Sequence, residues 1–282
     1  MPELPEVETI ARQLKKSIQQ SKILKIEILD PKIKLRWQVL KAKNIVDIFR
    51  LGKQIFFKVE LAKTQYLYLA FHLRMTGRLI WLSKGEKCKN NLKLVEKSKV
   101  LANPEKHLRL LISTNNGRLC FYDVRRFGIV KLVSNLSQVK TGLEPLSKDF
   151  NFEKFKALFV HSKQNIKQFL LRQDKIVGIG NIYASEILFS AKVNPTRRVD
   201  SLGDNELRRI HRSIKAILKK AVENCGTTFS DFQDSHGKIG GYQKYLKVYL
   251  KAGRLCPVCK QTNILRITQQ QRSTFYCPHC QL

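Results

Sequence analysis

The stretch CPVCKQTNILRITQQQRSTFYCPHC at positions 256–280 decides the fold at one end of the chain. Two Cys-x2-Cys pairs, separated by 17 residues, form the arrangement of a zinc ribbon, in which each pair presents two thiolates on one side of a tight turn. His279 lies inside the second pair, but four thiolates already complete a tetrahedral site. A disulfide pairing is the alternative, and reducing compartments disfavour it. The predicted zinc ligands are Cys256, Cys259, Cys277 and Cys280.

Upstream of this stretch, residues 146–241 have helical periodicity. Helices are predicted over 152–161, 165–173, 181–191 and from Asp204, as a cap, to about residue 224, before Gly226. The last helix carries apolar residues on one face and six basic residues on the other, which is usually a solvated face. The Gly-, Ser- and Asp-rich chain that follows predicts a mobile loop to residue 241.

Residues 1–145 change to the shorter period of strands after one predicted helix over 6–20. Asn115-Asn116-Gly117 is a hairpin turn signal, and the Lys-rich stretch 83–103 predicts a surface insertion in a loop. Many short strands at close spacing indicate a β-sandwich or a barrel. Strands are predicted over 23–29, 45–50, 55–61, 66–70, 78–82, 108–113, 119–122 and 129–133.

The composition points to a polyanionic partner. The chain has 53 Lys and Arg residues against 22 Asp and Glu residues, a net charge of +31. Nucleic acid is the first candidate and an anionic membrane surface the second. No run approaches the roughly 18 apolar residues of a membrane span, and no signal peptide is visible, so we expect a cytoplasmic protein. We divide the 282 residues into a catalytic domain over 1–145, a helical domain over 146–241 and a zinc finger over 242–282.

The chain begins MPELPEVE. Removal of Met1 would leave Pro2 as a secondary amine, and an α-amino group has a pKa of about 8, against about 10.4 for Lys. Such an amine is nucleophilic at neutral pH and condenses with an aldehyde-level carbon to give a cationic iminium. Glu3 and Glu6 lie beside it in sequence and could move protons. The alternative is that Pro2 merely starts the chain.

Six motifs occur in order: PELPEVET at 2–9, HLRMTG at 72–77, DVRRFG at 123–128, GLEPLS at 142–147, GIGNIYASE at 178–186 and QRSTFYCPHC at 271–280. With these motifs the chain resembles formamidopyrimidine-DNA glycosylase, the bacterial base-excision enzyme for oxidised purines, over nearly its whole length. The resemblance implies an α+β multidomain fold, with an N-terminal β-sandwich and flanking helices, a C-terminal helix–two-turns–helix domain and a zinc-ribbon hairpin. It also implies a monomer that binds damaged double-stranded DNA and one structural Zn²⁺.

The resemblance also implies roles for catalytic residues. Pro2 would attack the anomeric carbon of the damaged nucleoside, and Glu3 would assist opening of the sugar. Glu6 would support the proton network. Lys53, in RLGK at 50–53, would stabilise the sugar-phosphate, although it could also be a plain turn lysine. Arg272 would hold the phosphates beside the lesion and assist the second elimination.

Further residues match the family's DNA contacts. A base inside a duplex must be flipped out before an amine can reach its sugar, and Met75, Arg125 and Phe127 match the residues that fill the resulting void. For Met75 and Phe127 the alternative is core packing. Asn181 follows a Gly-x-Gly turn before a helix, a geometry that suits a phosphate but also an ordinary helix cap. Additional phosphate or lesion contacts are expected at His72, His107, Lys163 and Lys167.

The implied activity is excision of oxidised purines such as 8-oxoguanine and formamidopyrimidines, followed by β- and δ-elimination at the abasic site. Two alternatives stay open: an endonuclease VIII-like glycosylase for oxidised pyrimidines, and a non-catalytic DNA-binding zinc-ribbon protein. The chain departs from the family pattern at several positions. Arg74 and Leu250 stand where the family has Gly, Val124 stands where it has Pro, and Arg172 replaces a common acidic residue.

Overall fold

The computed structural model describes residues 1–85, 104–139, 142–227 and 240–282. The chain forms two compact units: Met1–Val139 with Asn224–Gly241, and Lys140–Glu223 with Tyr242–Leu282. Most of the predicted insertion over 83–103, and residues 228–239 of the predicted mobile loop, lie outside the described residues. Among the residues described, no helix has the length and apolar character needed to cross a membrane.

Among its described residues, the first unit has one α-helix and two four-stranded antiparallel sheets. Helix α1 spans Leu4–Ile18. The sheet orders are β1-β6-β7-β5 and β2-β3-β4-β8. The strands are β1 Ile23–Ile28, β2 Asn44–Leu51, β3 Gln54–Ala62, β4 Gln65–His72, β5 Gly77–Ser83, β6 Leu108–Thr114, β7 Gly117–Asp123 and β8 Ile129–Val133. Short 3-10 helices cover Trp37–Leu40, Pro104–His107 and Leu136–Gln138. All eight predicted strands are present, and the two open sheets confirm the sandwich and not the barrel.

The two sheets share one core with α1. Phe57 and Phe71, on neighbouring strands of one sheet, meet edge to face with ring centroids 5.5 Å apart, and Phe71 meets Phe121 of the other sheet at 5.6 Å. All three rings are buried. Truncation of such a ring costs about 3–5 kcal/mol, because the space it leaves is only partly refilled. The three rings therefore belong to one core that is shared by the two sheets.

The second unit is helical and ends in a hairpin. Its helices are α2 Phe152–Ala157, α3 Ile166–Leu170, α4 Asn181–Ala191 and α5 Asp204–Glu223, and its strands are β9 Leu265–Gln269 and β10 Arg272–Tyr276. Short 3-10 helices cover Val199–Ser201 and Tyr242–Tyr245. Helix α5 buries Leu207, Ile210, Ile214 and Leu218 on one face, as its periodicity predicts.

Three predicted helix features need correction. The predicted helix over 152–161 ends at Ala157, and His161 has a left-handed φ of 62°, which no α-helix continues through. The predicted helix over 165–173 is limited to Ile166–Leu170. Asp204 does not cap α5: its carboxylate accepts from Lys156 Nζ at 2.7 Å, while Glu206 accepts from the Gly203 N–H that precedes the helix.

Candidate active site and metal centre

The N-terminal residues form the buried start of α1. Glu3 is the N-cap residue of the helix and forms a capping box with Glu6. The Glu3 N–H donates to Glu6 Oε2 at 2.8 Å, and Glu6 Oε1 accepts from the N–H and the hydroxyl of Thr227 at 2.7 and 3.0 Å. Glu3 and Glu6 are 3% and 2% exposed, whereas Met1 is half exposed. Two buried carboxylates, Glu3 and Glu6, thus follow Pro2 at the start of α1.

Lys53 lies in a turn that is tied to α1. Leu51 pairs with Gln54, so Gly52 and Lys53 form a two-residue turn between β2 and β3, with φ of 57° at Gly52. The adjacent Arg50 donates from Nε to Glu8 of α1 at 2.7 Å and from Nη1 to the Gly52 carbonyl at 3.1 Å. The turn that presents Lys53 is therefore anchored to the helix that begins beside Pro2.

The anchor carboxylate also contacts a second guanidinium, because Arg12 Nε donates to Glu8 Oε1 at 2.7 Å. Burial alone would raise the pKa of Glu8, but the charges and hydrogen bonds of Arg50 and Arg12 outweigh it and lower that pKa. Glu8 is therefore ionised at neutral pH. The ion pair that supports the Lys53 turn has no counterpart in the sequence predictions.

His72 ends β4, opposite Gln54, which follows Lys53 in the chain. Burial, reinforced by the nearby charges of Arg74 and Lys53, lowers the pKa of His72 to about 4. Its Nδ1 accepts from the Arg74 N–H at 3.1 Å. The ring is thus neutral at pH 7 with its proton on Nε2, which can donate a hydrogen bond to a phosphate oxygen.

The three predicted void-filling residues are all exposed. Met75 and Phe127 are 48% and 55% exposed, so neither packs in the core. Arg125 Nη1 lies 3.7 Å from Met75 Sδ, although the two are 50 positions apart in the chain. Thr76 connects the two loops, because its hydroxyl donates to Asp123 Oδ1 at 2.5 Å and accepts from the Arg125 N–H at 3.2 Å. Met75 and Arg125 therefore form one surface feature.

An ion pair that the sequence did not indicate lies behind the 123–128 loop. Arg126 donates from Nε and Nη2 to the two oxygens of Asp30 at 2.7 and 2.5 Å. Asp30 is 3% exposed, and its hydrogen bond with Arg126 lowers its pKa to about 2. Arg126 has a left-handed φ of 57°, and the pair holds this backbone in place. Asp123 secures the end of the loop by accepting from the Gly128 N–H at 2.6 Å.

Two predicted DNA contacts differ in exposure. His107 is half-buried, and burial, together with the charges of Arg109 and Lys106, lowers its pKa. Its Nδ1 is buried and has no hydrogen-bond partner among the residues described. Lys163, in the second unit, is exposed, as a phosphate contact requires.

Lys167 is placed differently from its predicted role. It is 1% exposed, and Nζ donates to Asn181 Oδ1 at 2.6 Å, to Thr274 Oγ1 at 2.7 Å and to the Ser273 carbonyl at 3.0 Å. Asn181 Nδ2 donates to the same carbonyl at 2.8 Å. An ammonium has three donors, so this arrangement leaves none for a phosphate. Lys167 instead joins α3, the first residue of α4, and strand β10.

Arg272 is the exposed first residue of β10. It pairs with Gln269 across a two-residue turn in which Gln270 and Gln271 have φ of 45° and 59°. With Arg172 it lines a cavity of about 220 Å³. Arg172 also pairs with Asp174 at 2.5 Å, so of the two cations Arg272 is the better placed to receive an anion.

Glu186, inside the GIGNIYASE motif, has a role that the sequence did not indicate. It is 4% exposed, and its carboxylate accepts from the N–H groups of Lys247, Val248 and Tyr249 at 2.8–2.9 Å. Burial raises its pKa, although the three donors act in the opposite direction. Glu186 thereby ties α4 to the segment that leads into the cysteine hairpin.

Two departures from the family pattern lie in left-handed backbone. Arg74 and Leu250, which stand where the family has Gly, have φ of 53° and 57°. Only Gly adopts this region without a steric cost, which is roughly 1–2 kcal/mol for other residues. The chain therefore keeps the turns that those glycines form and accepts the strain.

The four predicted ligand cysteines are together in the second unit. Their Sγ atoms all lie within 4.8 Å of one another, and the Cys256–Cys280 and Cys259–Cys277 pairs are 3.8 and 3.7 Å apart. Four thiolates around a tetrahedral zinc, with Zn–S of about 2.3 Å, lie about 3.8 Å apart. The N–H groups of Gln261 and Thr262 lower the pKa of Cys259 to about 5, against the effect of burial. Distances and donor set both fit one structural Zn²⁺.

Three family models match the chain. The formamidopyrimidine-DNA glycosylase N-terminal domain matches residues 1–130, the H2TH domain of the same family matches 141–233, and the zinc finger found in FPG and IleRS matches 253–282. The helix–two-turns–helix and zinc-finger predictions are thus confirmed. The three matches cover most of the chain.

Curated relatives and solved structures agree. The chain is 36% identical to formamidopyrimidine-DNA glycosylase of Pelotomaculum thermopropionicum, over all of this chain and 99% of the relative, and 34% identical to that of Mycoplasma genitalium, over all of this chain and 96% of the relative. It is similar to Lactococcus lactis Fpg in complex with DNA containing an abasic site, with a TM-score of 0.83, 32% identity and 99% coverage of both chains. The Thermus thermophilus protein gives a TM-score of 0.83 at 31% identity, over 99% of this chain and 98% of that one. The chain belongs to the formamidopyrimidine-DNA glycosylase family.

Proposed function

We propose that this DNA glycosylase excises oxidised purines from double-stranded DNA through the amine of Pro2 and then cleaves the strand at the abasic site. The observation that carries the proposal is the start of α1, where Pro2 is followed by two buried carboxylates, Glu3 and Glu6, and by a helix that holds the Lys53 turn.

Each step has a group to perform it. After Met1 is removed, the Pro2 nitrogen attacks the anomeric carbon, the bond from that carbon to the base breaks, and the base leaves with the proton that the amine gives up. Glu3 supplies a proton to the sugar ring oxygen as the ring opens, so that the secondary amine and the carbon form a cationic iminium. The iminium acidifies the neighbouring sugar protons, and successive β- and δ-eliminations expel the 3′ and 5′ phosphates. Lys53 stabilises the sugar-phosphate during these steps.

DNA binding uses residues of both units. Exposed Lys163 and Arg272, with Asn181 and neutral His72, would contact phosphates, and His107 is a further candidate because its Nδ1 lacks a partner among the described residues. Met75, Arg125 and Phe127 would fill the void left by the flipped nucleotide. For Lys167 the proposal changes, since its buried ammonium positions Asn181 and β10 and makes no direct contact with DNA.

Zinc has a structural role. The four thiolates would hold one Zn²⁺ per chain, which fixes the hairpin that carries Arg272. The protein would act as a monomer in the bacterial cytoplasm, where its substrate is found. The division into domains over 1–145, 146–241 and 242–282 is part of the same proposal.

The decisive experiment combines duplexes that carry one lesion each with borohydride trapping. We expect a covalent adduct on 8-oxoguanine DNA that maps to Pro2, and a Glu3→Gln variant that binds DNA but does not excise the base. An adduct that maps to a Lys side chain would refute the mechanism. Faster excision of an oxidised pyrimidine than of 8-oxoguanine would favour the endonuclease VIII-like alternative, and an inert wild-type protein would favour the non-catalytic one.

A second measurement separates the role of the void-filling residues from the chemistry of excision. An abasic site has no base to extrude, so less stacking must be broken there, a saving of a few kcal/mol. Met75→Ala should therefore lose much more activity on 8-oxoguanine than on abasic DNA, and Arg125→Ala should relax the preference for cytosine opposite the lesion. Val39→Ala, at a similarly exposed apolar residue of the same unit, is the matched control. Equal losses of Met75→Ala on both substrates would show that Met75 does not fill the void left by the flipped base.

A further inference from the structure

We propose that Thr227 is a positioning residue of the active site, whose hydroxyl and N–H hold the Glu6 carboxylate beside the nucleophile. The inference rests on the proposed function of Pro2. Both Thr227 donors reach the same oxygen, Glu6 Oε1, at 2.7 Å from N and 3.0 Å from Oγ1. The two residues are 221 positions apart, so no local sequence pattern reveals this contact.

The hydrogen bonds of Glu6 are divided between its two oxygens. Oε2 accepts from the Glu3 N–H, which belongs to the Pro2–Glu3 peptide, and Oε1 accepts from Thr227. Both Glu6 and Thr227 are 2% exposed. A carboxylate removed from water depends on such donors, because water cannot replace a lost one without opening the site. The Glu6 side chain therefore connects Thr227 to the Pro2–Glu3 peptide, so a shift of Thr227 would also shift the nucleophile.

A second observation fixes the same contact. Gly226 has φ of +72°, and a Cβ at this residue would lie 2.6 Å from Glu6 Oε1 and 2.9 Å from Glu6 Cγ. The backbone therefore packs directly on the carboxylate, at a distance that only Gly permits. The Gly240 backbone packs against Gly226, since a Cβ on Gly240 would lie 2.4 Å from the Gly226 carbonyl oxygen. Close packing and directed donors together specify where residue 227 must lie.

The proposal separates orientation from DNA binding. Thr227 touches Glu6 and is buried, so loss of its hydroxyl should leave phosphate contacts intact. What should change is the geometry of the Pro2–Glu3 peptide, and hence the rate at which the amine attacks. Small misplacement of a reacting group is costly to rate, even when affinity is preserved.

The test compares Thr227→Val, which keeps the shape and the N–H but lacks the hydroxyl, with Thr227→Ser, which keeps both donors. We expect Thr227→Val to lower the single-turnover rate of adduct trapping at saturating 8-oxoguanine DNA about tenfold, as loss of a hydrogen bond to a charged acceptor implies, with Kd for abasic DNA unchanged within twofold. Thr227→Ser should stay within twofold of wild type. Thr114→Val is the matched control, because Thr114 is also buried in the first unit but bonds the Gly117 carbonyl.

Coupling to Glu6 gives the sharpest readout. In a Glu6→Gln background, Thr227→Val should cause less than a threefold further loss, because the acceptor is already altered. Thr227→Ala gives the same comparison if Val does not fold. Equal rates for the Val, Ser and wild-type proteins, or the same tenfold loss with and without Glu6, would overturn the inference while the proposed function stands. No adduct from wild-type protein on any lesion would overturn both.

Discussion

Replacement of Glu186 should destabilise the second unit by an amount that its hydrogen bonds predict. In Glu186→Ala the N–H groups of Lys247, Val248 and Tyr249 lose their acceptor. Only Val248 is fully buried, so its unpaired donor costs about 1–3 kcal/mol, while water can partly satisfy the other two at about 1 kcal/mol each. Removal of a buried carboxylate returns part of this loss. The net expectation is about 2–4 kcal/mol.

Glu186→Gln should lie between the alanine variant and wild type. The amide oxygen can still accept from Val248 and Tyr249, which share Oε1, but the amide NH₂ then faces the Lys247 N–H, which donates to Oε2. One hydrogen bond is lost and two donors are opposed, so we expect a cost of about 1–2 kcal/mol.

The two tryptophans make the assay specific. Trp37 and Trp81 both lie in the first unit, so their fluorescence follows that unit, whereas release of zinc to a chelator follows the second. During urea unfolding, the midpoint of zinc release should fall in the order wild type, Glu186→Gln, Glu186→Ala, while the fluorescence midpoint changes little. The exposed Glu153→Ala is the control. The zinc-release curve also gives a free energy of unfolding. If that free energy in Glu186→Ala lies within about 0.5 kcal/mol of the wild-type value, the scale of ordinary surface changes, the reasoning is refuted.

Three other outcomes are expected. Cys277→Ser should abolish zinc binding and DNA binding but leave the tryptophan-monitored transition unchanged, and metal-free wild-type protein as purified would contradict the zinc assignment. The pKa of Asp30 is about 2, below its ordinary 3.8, so its pairing with Arg126 contributes fully above about pH 4 and is lost as the pH falls toward 2. Between pH 5 and pH 3 the urea midpoint should therefore fall further in wild type than in Asp30→Asn. Arg74→Gly should raise the stability of the first unit by about 0.5–1 kcal/mol, since relief of left-handed strain exceeds the entropy cost of Gly, and a lower midpoint would show that Arg74 makes a compensating contact.

The sequence predicted the strands of the first unit well because each is a short run rich in apolar, β-branched and aromatic residues, and such runs at close spacing are typical of sheets. Residues 55–57 and 119–122 are buried consecutively, so both faces of these strands pack in core clusters. Helix ends were less predictable. His161 stops α2 through its backbone conformation, and Asp204 is used by Lys156 and not by its own helix, and neither fact follows from local propensity.

Long-range polar partners were not predictable at all. Lys167 matches a DNA contact by motif, yet its ammonium is satisfied by residues of α4 and β10. The pairing of Asp30 with Arg126 joins positions 96 residues apart. In both cases the tertiary fold creates the partner, and one sequence contains no signal that distinguishes a buried Lys or Asp from an exposed one.

The contact between Gly226 and Glu6 means that substitutions at these two distant positions depend on each other. Any side chain at 226 would strike the carboxylate at position 6, and a shorter residue at position 6 would strand the donors of Thr227. Neither residue can be substituted alone without disturbing the other, and a tolerated substitution at one requires a matched substitution at the other. Libraries that randomise residues 6 and 226 together should therefore recover few functional variants without Gly226, because its φ of +72° strains any other residue.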